Sequence, residues 1–409
     1  MKIQQGTIKP PKKTSRFYLT PALLLLISTA LYFTPALFGG FEMTWSSGAS
    51  ISTVFSRETI TISAFILTTL ATIAFAWTPH EIRYKTFQRE QIESCILLAV
   101  VILLMLYTLR TPALFSPTKS EVLAATDRLH FLFYNSCMVG FLFCQLTNWK
   151  RHKPLILTST FGLLLAVYIG HRSYLAISFV GLIYLSFRSK SVLSIRKSHF
   201  FLMVVLLLSL MLYKPIYSAI KDGNLELILY RIAPENILVS LAIGSEQFIT
   251  YSILDKVVNT DFQLRCSNLW FTPFTLLPFT DALIDLKDCT FNNQFQSAFF
   301  SDFSGGIAAN IWAEFIANFG IAGIPIFIIS SLALCSAIER LSTATRSAAL
   351  ISGLIIMIIQ LTFYVQRNEF LSGFLLGKRA VIAALIVFMI ALIIQRNQAP
   401  KFKKNHNKQ

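Results

Sequence analysis

The sequence predicts an all-α integral membrane protein with about ten transmembrane helices and one long, partly helical loop on the outer face. Three observations predict it. Of 409 residues, 54% are hydrophobic and only 14% charged, and the mean hydropathy of +0.61 lies well outside the range of a soluble globular domain. The apolar residues gather into runs long enough to cross a bilayer. The basic residues gather between those runs, and chiefly on alternate connections.

The first run, 17–38, follows a basic tail containing Lys2, Lys9, Lys12, Lys13 and Arg16. It is long for the apolar core of a signal peptide and no clear small-x-small cleavage site follows it, so it reads as the first crossing. Further runs cover 59–77, 94–109, 129–146, 155–170, 173–187, 200–213, 320–337, 348–365 and 374–394. Each is near the length needed to cross ~30 Å of hydrocarbon at ~1.5 Å per residue, the shorter ones being extended by their flanks. Ten crossings that start inside put connections 79–93, 148–154, 188–199 and 338–347 in the cytoplasm, together with both tails. About 22 of the 36 Lys and Arg fall in those six pieces, against about 4 of the 20 Asp and Glu. That asymmetry is the positive-inside pattern, and it accounts for a net charge of +16 without nucleic acid, which would require the basic residues on one solvated face. Residues 1–213 therefore carry helices one to seven, 214–319 the large outer loop, 320–394 helices eight to ten, and 395–409 a basic cytoplasmic tail.

The loop is too long for a plain connector, so it folds over the membrane surface or acts as a lid. Stretches 225–232 and 237–258 have the mixed polar and apolar positions of surface-lying amphipathic helices. Cys266 and Cys289 are the loop's only cysteines, and outside the reducing cytoplasm they are a disulfide candidate; two free thiols are the alternative.

No Walker A loop, H-E-x-x-H, Cys/His metal spacing or G-x-S-x-G occurs, which argues against nucleotide-driven transport. What remains are ionisable residues at the outer ends of helices, functional candidates because a poorly solvated charge costs a few kcal/mol or more unless paired. Gly170-His171-Arg172-Ser173-Tyr174 joins two helices with almost no loop, so Arg172 lies at the outer membrane boundary. There it can grip a phosphate bidentately, or merely snorkel. His171 has a useful pKa for a base, or is a hydrogen-bonded turn residue. Gln366-Arg367-Asn368-Glu369 lies between the last two helices, with Lys378 and Arg379 following. Three cations on the non-positive side need a reason, and an anionic ligand such as a pyrophosphate supplies one; a Glu369–Arg379 ion pair is the structural alternative. In 304–323, read as a helix, Asn310, Glu314 and Asn318 form one polar stripe at the outer mouth. Glu314 either accepts a proton from a sugar hydroxyl or pairs with an arginine. Arg231 is a weaker candidate, a solvated loop arginine otherwise.

Together these pieces resemble the O-antigen repeat-unit polymerase (Wzy-type) family of integral membrane glycosyltransferases. The resemblance rests on the topology, on Gly170-His171-Arg172 at the tight turn, on the Glu-x-x-x-Asn-Phe-Gly-x-x-Gly segment from Glu314 to Gly323, and on the Arg-rich turn Arg367-Asn368-Glu369. It covers about 155–394; the first four helices match only as hydrophobic segments. It implies a GT-C-like polymerase bundle in the bacterial inner membrane. The enzyme would work at the periplasmic face on undecaprenyl-diphosphate-linked glycans, with room for a chain-length regulator as partner. It implies a growing glycan moved from its lipid diphosphate onto the incoming lipid-linked repeat unit. In that chemistry Arg172, Arg231, Arg367 and Arg379 would hold the diphosphate. Glu314 or His171 would be the base, with Glu246 and Asp302 in reserve. No cofactor or metal is demanded, since arginines can neutralise the phosphate charge. An O-antigen ligase shares the outer arginines and long loop. A lipid-linked oligosaccharide flippase or other transporter would instead place ionisable groups near the bilayer midplane.

Overall fold

The computed structural model of the chain describes residues 19–44, 50–77, 87, 89–114, 119–188, 225–233, 246–272, 274–276, 287–301 and 308–406. Helix α1 spans Pro21–Tyr32; Thr20 caps it by accepting the Leu23 N–H at 3.1 Å, and Pro21 fits the first turn, where its missing N–H is not needed. An antiparallel hairpin follows, β1 Gly40–Thr44 and β2 Ser50–Val54 with Gly40 opposite Val54, the one departure from helix among the described elements. Then come α2 Arg57–Ala76, α3 Glu90–Leu109, the short α4 Lys119–Ala125, α5 Arg128–Leu146, α6 Lys153–Ile169 and α7 Ser173–Arg188. The long segment contributes α8 Leu225–Ile232, α9 Glu246–Asn259 and α10 Phe291–Phe299. The chain finishes with α11 Ile311–Phe319, α12 Gly323–Ala344, α13 Ala348–Thr362 and α14 Phe370–His406.

Six stretches are long and apolar enough to cross a membrane: Pro21–Phe38, Arg57–Ala76, Glu90–Leu109, Arg128–Leu146, Ile311–Ala344 and Phe370–Asn397. Lys153–Ile169, Ser173–Phe187 and Ala348–Thr362 are shorter apolar helices. The protein is thus a helical membrane protein. The run expected at 200–213 lies outside the described residues.

Side-chain links sort the helix ends into two groups. At one end, Glu90 Oε1 lies 2.7 Å from His152 Nε2 before α6, Glu93 Oε2 accepts the Ala349 N–H of α13 at 3.1 Å, and Tyr184 of α7 donates to Glu339 of α12 at 2.6 Å. At the other end, Tyr107 of α3 donates to Asp127 before α5, and Phe131 of α5 packs its ring on His171 after α6. The connections 148–154 and 338–347, both basic, belong to the first end; the candidate arginines belong to the second.

α13 shows why a 15-residue helix suffices. Every side chain from Ala348 to Thr362 except Leu350 is buried, so this helix is apolar all round and enclosed by its neighbours rather than by lipid. Its closest approach is to α14. A Cβ on Gly353 would stand 2.8 Å from Ala384 Cβ and 2.9 Å from the Ala380 carbonyl oxygen, and one on Gly377 would stand 3.0 Å from Met357. Small residues at such crossings let two backbones pack closely, which is what associates helices where no water drives them together.

Two expectations for the long segment are corrected. Of the stretch 237–258 the structure describes the part from Glu246, and this helix, α9, does not lie on a surface: Tyr251, Ile253, Leu254 and Val257 are buried. The 304–323 stretch is not one helix either. α11 begins at Ile311 with Asn310 as its cap, and a break at Gly320, with φ +60°, separates it from α12. Gly323 then passes so close to α11 that a Cβ there would sit 2.1 Å from the Phe315 carbonyl oxygen. The two glycines of the Gly-x-x-Gly element are therefore required by the reversal itself.

Gly353→Val is expected to destabilise the detergent-solubilised protein by about 1–3 kcal/mol, the usual range for overpacking. Gly373→Ala, whose added Cβ meets nothing closer than 3.8 Å, is expected to leave the melting temperature unchanged. Thermal denaturation of the purified variants checks both.

Candidate functional site at one mouth of the bundle

Three chain segments meet at the second end. The first is the α6–α7 turn. Gly170 has φ +108°, and the His171 N–H reaches back to the Ala166 carbonyl at 2.7 Å, a left-handed cap that ends α6 within one residue. Arg172 follows at once, its carbonyl already accepting the Ala176 N–H at 3.2 Å, so its backbone is fixed at the start of α7.

The second is the turn Tyr364–Arg367 that closes α13. It is held by the buried amide of Gln366. The Trp312 Nε1–H donates to Gln366 Oε1 at 2.9 Å, and Gln366 Nε2 donates to Ser28 Oγ at 3.2 Å and Thr29 Oγ1 at 2.9 Å. Ser28 Oγ in turn donates to the Thr362 carbonyl at 2.7 Å. One side chain thus ties the turn to α1 and α11, and Arg367 is the next residue along.

The third is the N-terminus of α9, docked onto α2 and α11. Ser63 Oγ and Tyr251 Oη are 3.0 Å apart, Asp255 accepts the Ser56 N–H at 2.9 Å, and Asn310 Nδ2 donates to the Thr250 carbonyl at 2.8 Å. Glu246 is the first residue of that helix, and its carboxylate lies between the other two segments. Arg172 donates to Glu246 Oε1 at 2.8 Å, and Arg367 donates to Glu246 Oε2. The side chains are 21% exposed for Arg172, 26% for Arg367 and 15% for Glu246, so solvent screens the cluster only in part. The Arg367 guanidinium also lies 5.4 Å from the Tyr364 ring centroid. Burial disfavours its charge, but Tyr364 and Glu246 outweigh that and hold its pKa above the ordinary arginine value.

The remaining expected residues divide. His171 is half-buried beside this turn, with ring centroids of Tyr134 and Phe131 at 5.4 and 6.2 Å. Arg379 sits at the same end, its guanidinium 5.0 Å from the Phe131 ring. It does not pair with Glu369. That carboxylate accepts the Asn292 N–H at 2.7 Å and a bond from Asn268 at 3.4 Å, and burial pushes its pKa up against those bonds. Lys378 is buried and donates to the Thr275 carbonyl. Glu314 is fully buried and pairs with no arginine among the described residues; one oxygen accepts the Phe370 N–H at 2.8 Å, at the positive end of α14, and the other has no partner. The Asn310–Glu314–Asn318 stripe does not line the mouth: Asn310 caps α11, and Asn318 donates to the Glu314 carbonyl at 2.7 Å. Arg231 lies in α8, its side chain outside the described residues, as is all of Asp302. Cys266 and Cys289 form a disulfide, which the Gln294 side chain braces by donating to the Cys266 carbonyl at 2.8 Å.

Two features at this end go beyond the roles the sequence suggests. Glu246 bridges residues 74 and 121 positions away, a pairing that no local spacing encodes. A second histidine also stands at this end. Asp127 caps α5, His130 Nδ1 lies 2.7 Å from its Oδ1, and His130 Nε2 lies 2.8 Å from Thr111 Oγ1. Burial raises the Asp127 pKa, but the bonds from Tyr107 and His130 prevail and bring it down to about 2. The spacing Asp-x-x-His before an apolar run signals that cap.

No family model, curated protein or solved structure matches this chain.

Glu314→Ala is expected to lower stability by about 1–3 kcal/mol, because it leaves the Phe370 N–H buried without an acceptor. Glu314→Gln keeps an acceptor oxygen and is expected to melt like the parent. Equal losses in both variants would mean that the carboxylate's charge, rather than its oxygen, holds α14.

Proposed function

We propose that the protein is a membrane glycosyltransferase that polymerises repeat units carried on undecaprenyl diphosphate into O-antigen or a related surface polysaccharide. The observation that carries this reading is the meeting of Arg172 and Arg367 on one carboxylate at the mouth opposite the basic connections. Guanidinium groups in a partly buried, apolar setting are suited to gripping phosphate oxygens in pairs. The positive-inside pattern supports an extracytoplasmic position for that mouth.

Breaking a sugar–diphosphate bond builds negative charge on the departing diphosphate. Preorganised cations aimed at that charge lower the barrier without reorganising. Arg172 and Arg367 are held for this role by the Gly170 turn and by the Gln366 amide. Arg379, at the same end, is the further cation for the lipid-linked diphosphate. The attacking sugar hydroxyl needs a base. Glu314 is enclosed and committed to Phe370, which leaves His171, half-buried in the same turn as Arg172, as the base this reading favours.

Arg172→Ala and Arg367→Ala are each expected to abolish long-chain polymer while leaving single repeat units attached to the lipid core, read as loss of the ladder on a polysaccharide gel. Normal ladders from both variants would contradict the assignment. A deletion strain separates the neighbouring functions: loss of a ligase removes all attached glycan and accumulates lipid-linked polymer, whereas loss of a flippase traps single units inside.

A further inference from the structure

Beside the mouth, two acidic side chains are buried together: Glu314 is 0% exposed and Glu369 4%. Glu314 Oε2 accepts the N–H of Phe370, the residue that follows Glu369, at 2.8 Å, which brings both carboxyl groups to the start of α14. The Glu369 oxygens accept the Asn292 N–H at 2.7 Å and a bond from Asn268 Nδ2 at 3.4 Å. Among the described residues, no lysine, arginine or histidine is paired with either carboxylate, and the charge that acts on Glu314 is the like charge of Glu369. Two oxygens here are also buried with no hydrogen-bond donor among the described residues: Glu314 Oε1, and Asn292 Oδ1 on the first turn of α10. They belong to different elements and lack the same thing, a positive partner. Charges and carbonyl oxygens taken out of water are costly unless such a partner compensates them.

We infer that Glu314, Glu369 and Asn292 bind a calcium ion, which pins the disulfide-bridged segment to the turn that carries Arg367. Calcium is a hard cation that takes about six to eight oxygen ligands in flexible geometry, carboxylates, asparagine carbonyls and water among them. Two carboxylates set the charge to be met at two, which a divalent ion neutralises and a monovalent ion does not. Among the described residues no three His, Cys, Asp or Glu side chains are grouped to hold a metal ion, so the rest of the shell is amide, backbone or water oxygen. An all-oxygen donor set of this kind disfavours zinc and the other metals that seek nitrogen or sulfur. The site is also braced in advance. Asn268 follows Cys266 by two residues and Asn292 follows Cys289 by three, so the disulfide holds together the two arms that meet Glu369. Glu369 in turn follows Arg367 by two residues. The inference does not depend on the reading of the arginine cluster as a diphosphate site.

The test is thermal melting of the purified full chain in non-ionic detergent, stripped with EGTA and titrated with calcium chloride against sodium chloride of equal ionic strength. Calcium is expected to raise the melting temperature saturably, with half of the effect at about 0.1–1 mM, the affinity of extracellular calcium modules. The sodium salt is expected to leave it unchanged. Glu369→Gln and Glu314→Gln are expected to lose the calcium-dependent rise, although in EGTA Glu314→Gln still melts like the parent. Asn292→Ala removes a ligand oxygen but keeps the backbone N–H that Glu369 accepts. It is expected to need about tenfold more calcium, and it serves if the charge variants do not fold. No calcium-dependent rise in the parent, or a rise with the same size and midpoint in all three variants, would overturn the inference. A parent indifferent to calcium but stabilised by acidification, with both glutamine variants stabilised less, would overturn it in favour of a proton shared by the two carboxylates.

Discussion

Two guanidinium groups in a corner that water only partly reaches cannot stand alone, and the bridge from Glu246 to Arg172 and Arg367 is the constraint on which the rest of the site depends. Water reaches this cluster in part, so removing one partner costs less than the ~3–5 kcal/mol of a fully buried pair, but it still leaves the remaining charge less well compensated. The three segments must therefore arrive together: a turn that reverses within one residue at Gly170, a turn pinned through Gln366, and the N-terminus of α9. Each is fixed by a different device. The first uses backbone conformation, the second a buried amide with its acceptor and its donors all engaged, and the third a docking face of Tyr251, Asp255 and Thr250.

Within the segment between the seventh and eighth expected helices, α9 belongs to the bundle. Tyr251 packs edge-on against Phe33 and Phe55, at ring distances of 5.6 and 4.8 Å, and its hydroxyl meets Ser63 of α2. The Cys266–Cys289 bridge and α10 extend this platform, with Glu369 accepting the Asn292 N–H at the start of α10. Carboxylates at helix N-termini recur through the molecule, with Glu93 at α13, Glu314 at α14 and Glu369 at α10. Each offsets the positive end of a helix dipole. Acidic side chains in this protein thus do architectural work even where their burial would also suit catalysis, which is why Glu314 ceases to be the favoured base once its partner is seen.

Much of the helical framework was legible in the sequence because lipid demands long apolar runs and charge marks where they end. The run at 129–146 corresponds to Arg128–Leu146 and that at 94–109 to Glu90–Leu109. The last run extends well past its apolar part, to His406, because helical propensity continues into the basic tail where hydropathy does not. Arg172 and Arg367 were conspicuous as cations at helix ends on the side where few are expected. Glu246 was not, since its significance is a tertiary contact with two distant residues. Gln366 was equally silent: an amide next to an arginine looks like a loop residue until α1 and α11 converge on it. Asn310 misled because i, i+4 spacing looks the same for a helix interior and for a cap followed by a helix.

The convergence of these three segments is the claim on which the proposed activity depends. It is tested most directly by cysteine pairs, with the four free cysteines Cys95, Cys137, Cys144 and Cys335 replaced by serine. Glu246→Cys combined in turn with Arg172→Cys and with Arg367→Cys is examined in membranes with a membrane-impermeant oxidant. Rapid crosslinking of both pairs, from the extracytoplasmic side, is the expected result. Failure of both pairs to crosslink, or crosslinking only when the oxidant reaches the cytoplasmic side, would contradict the account.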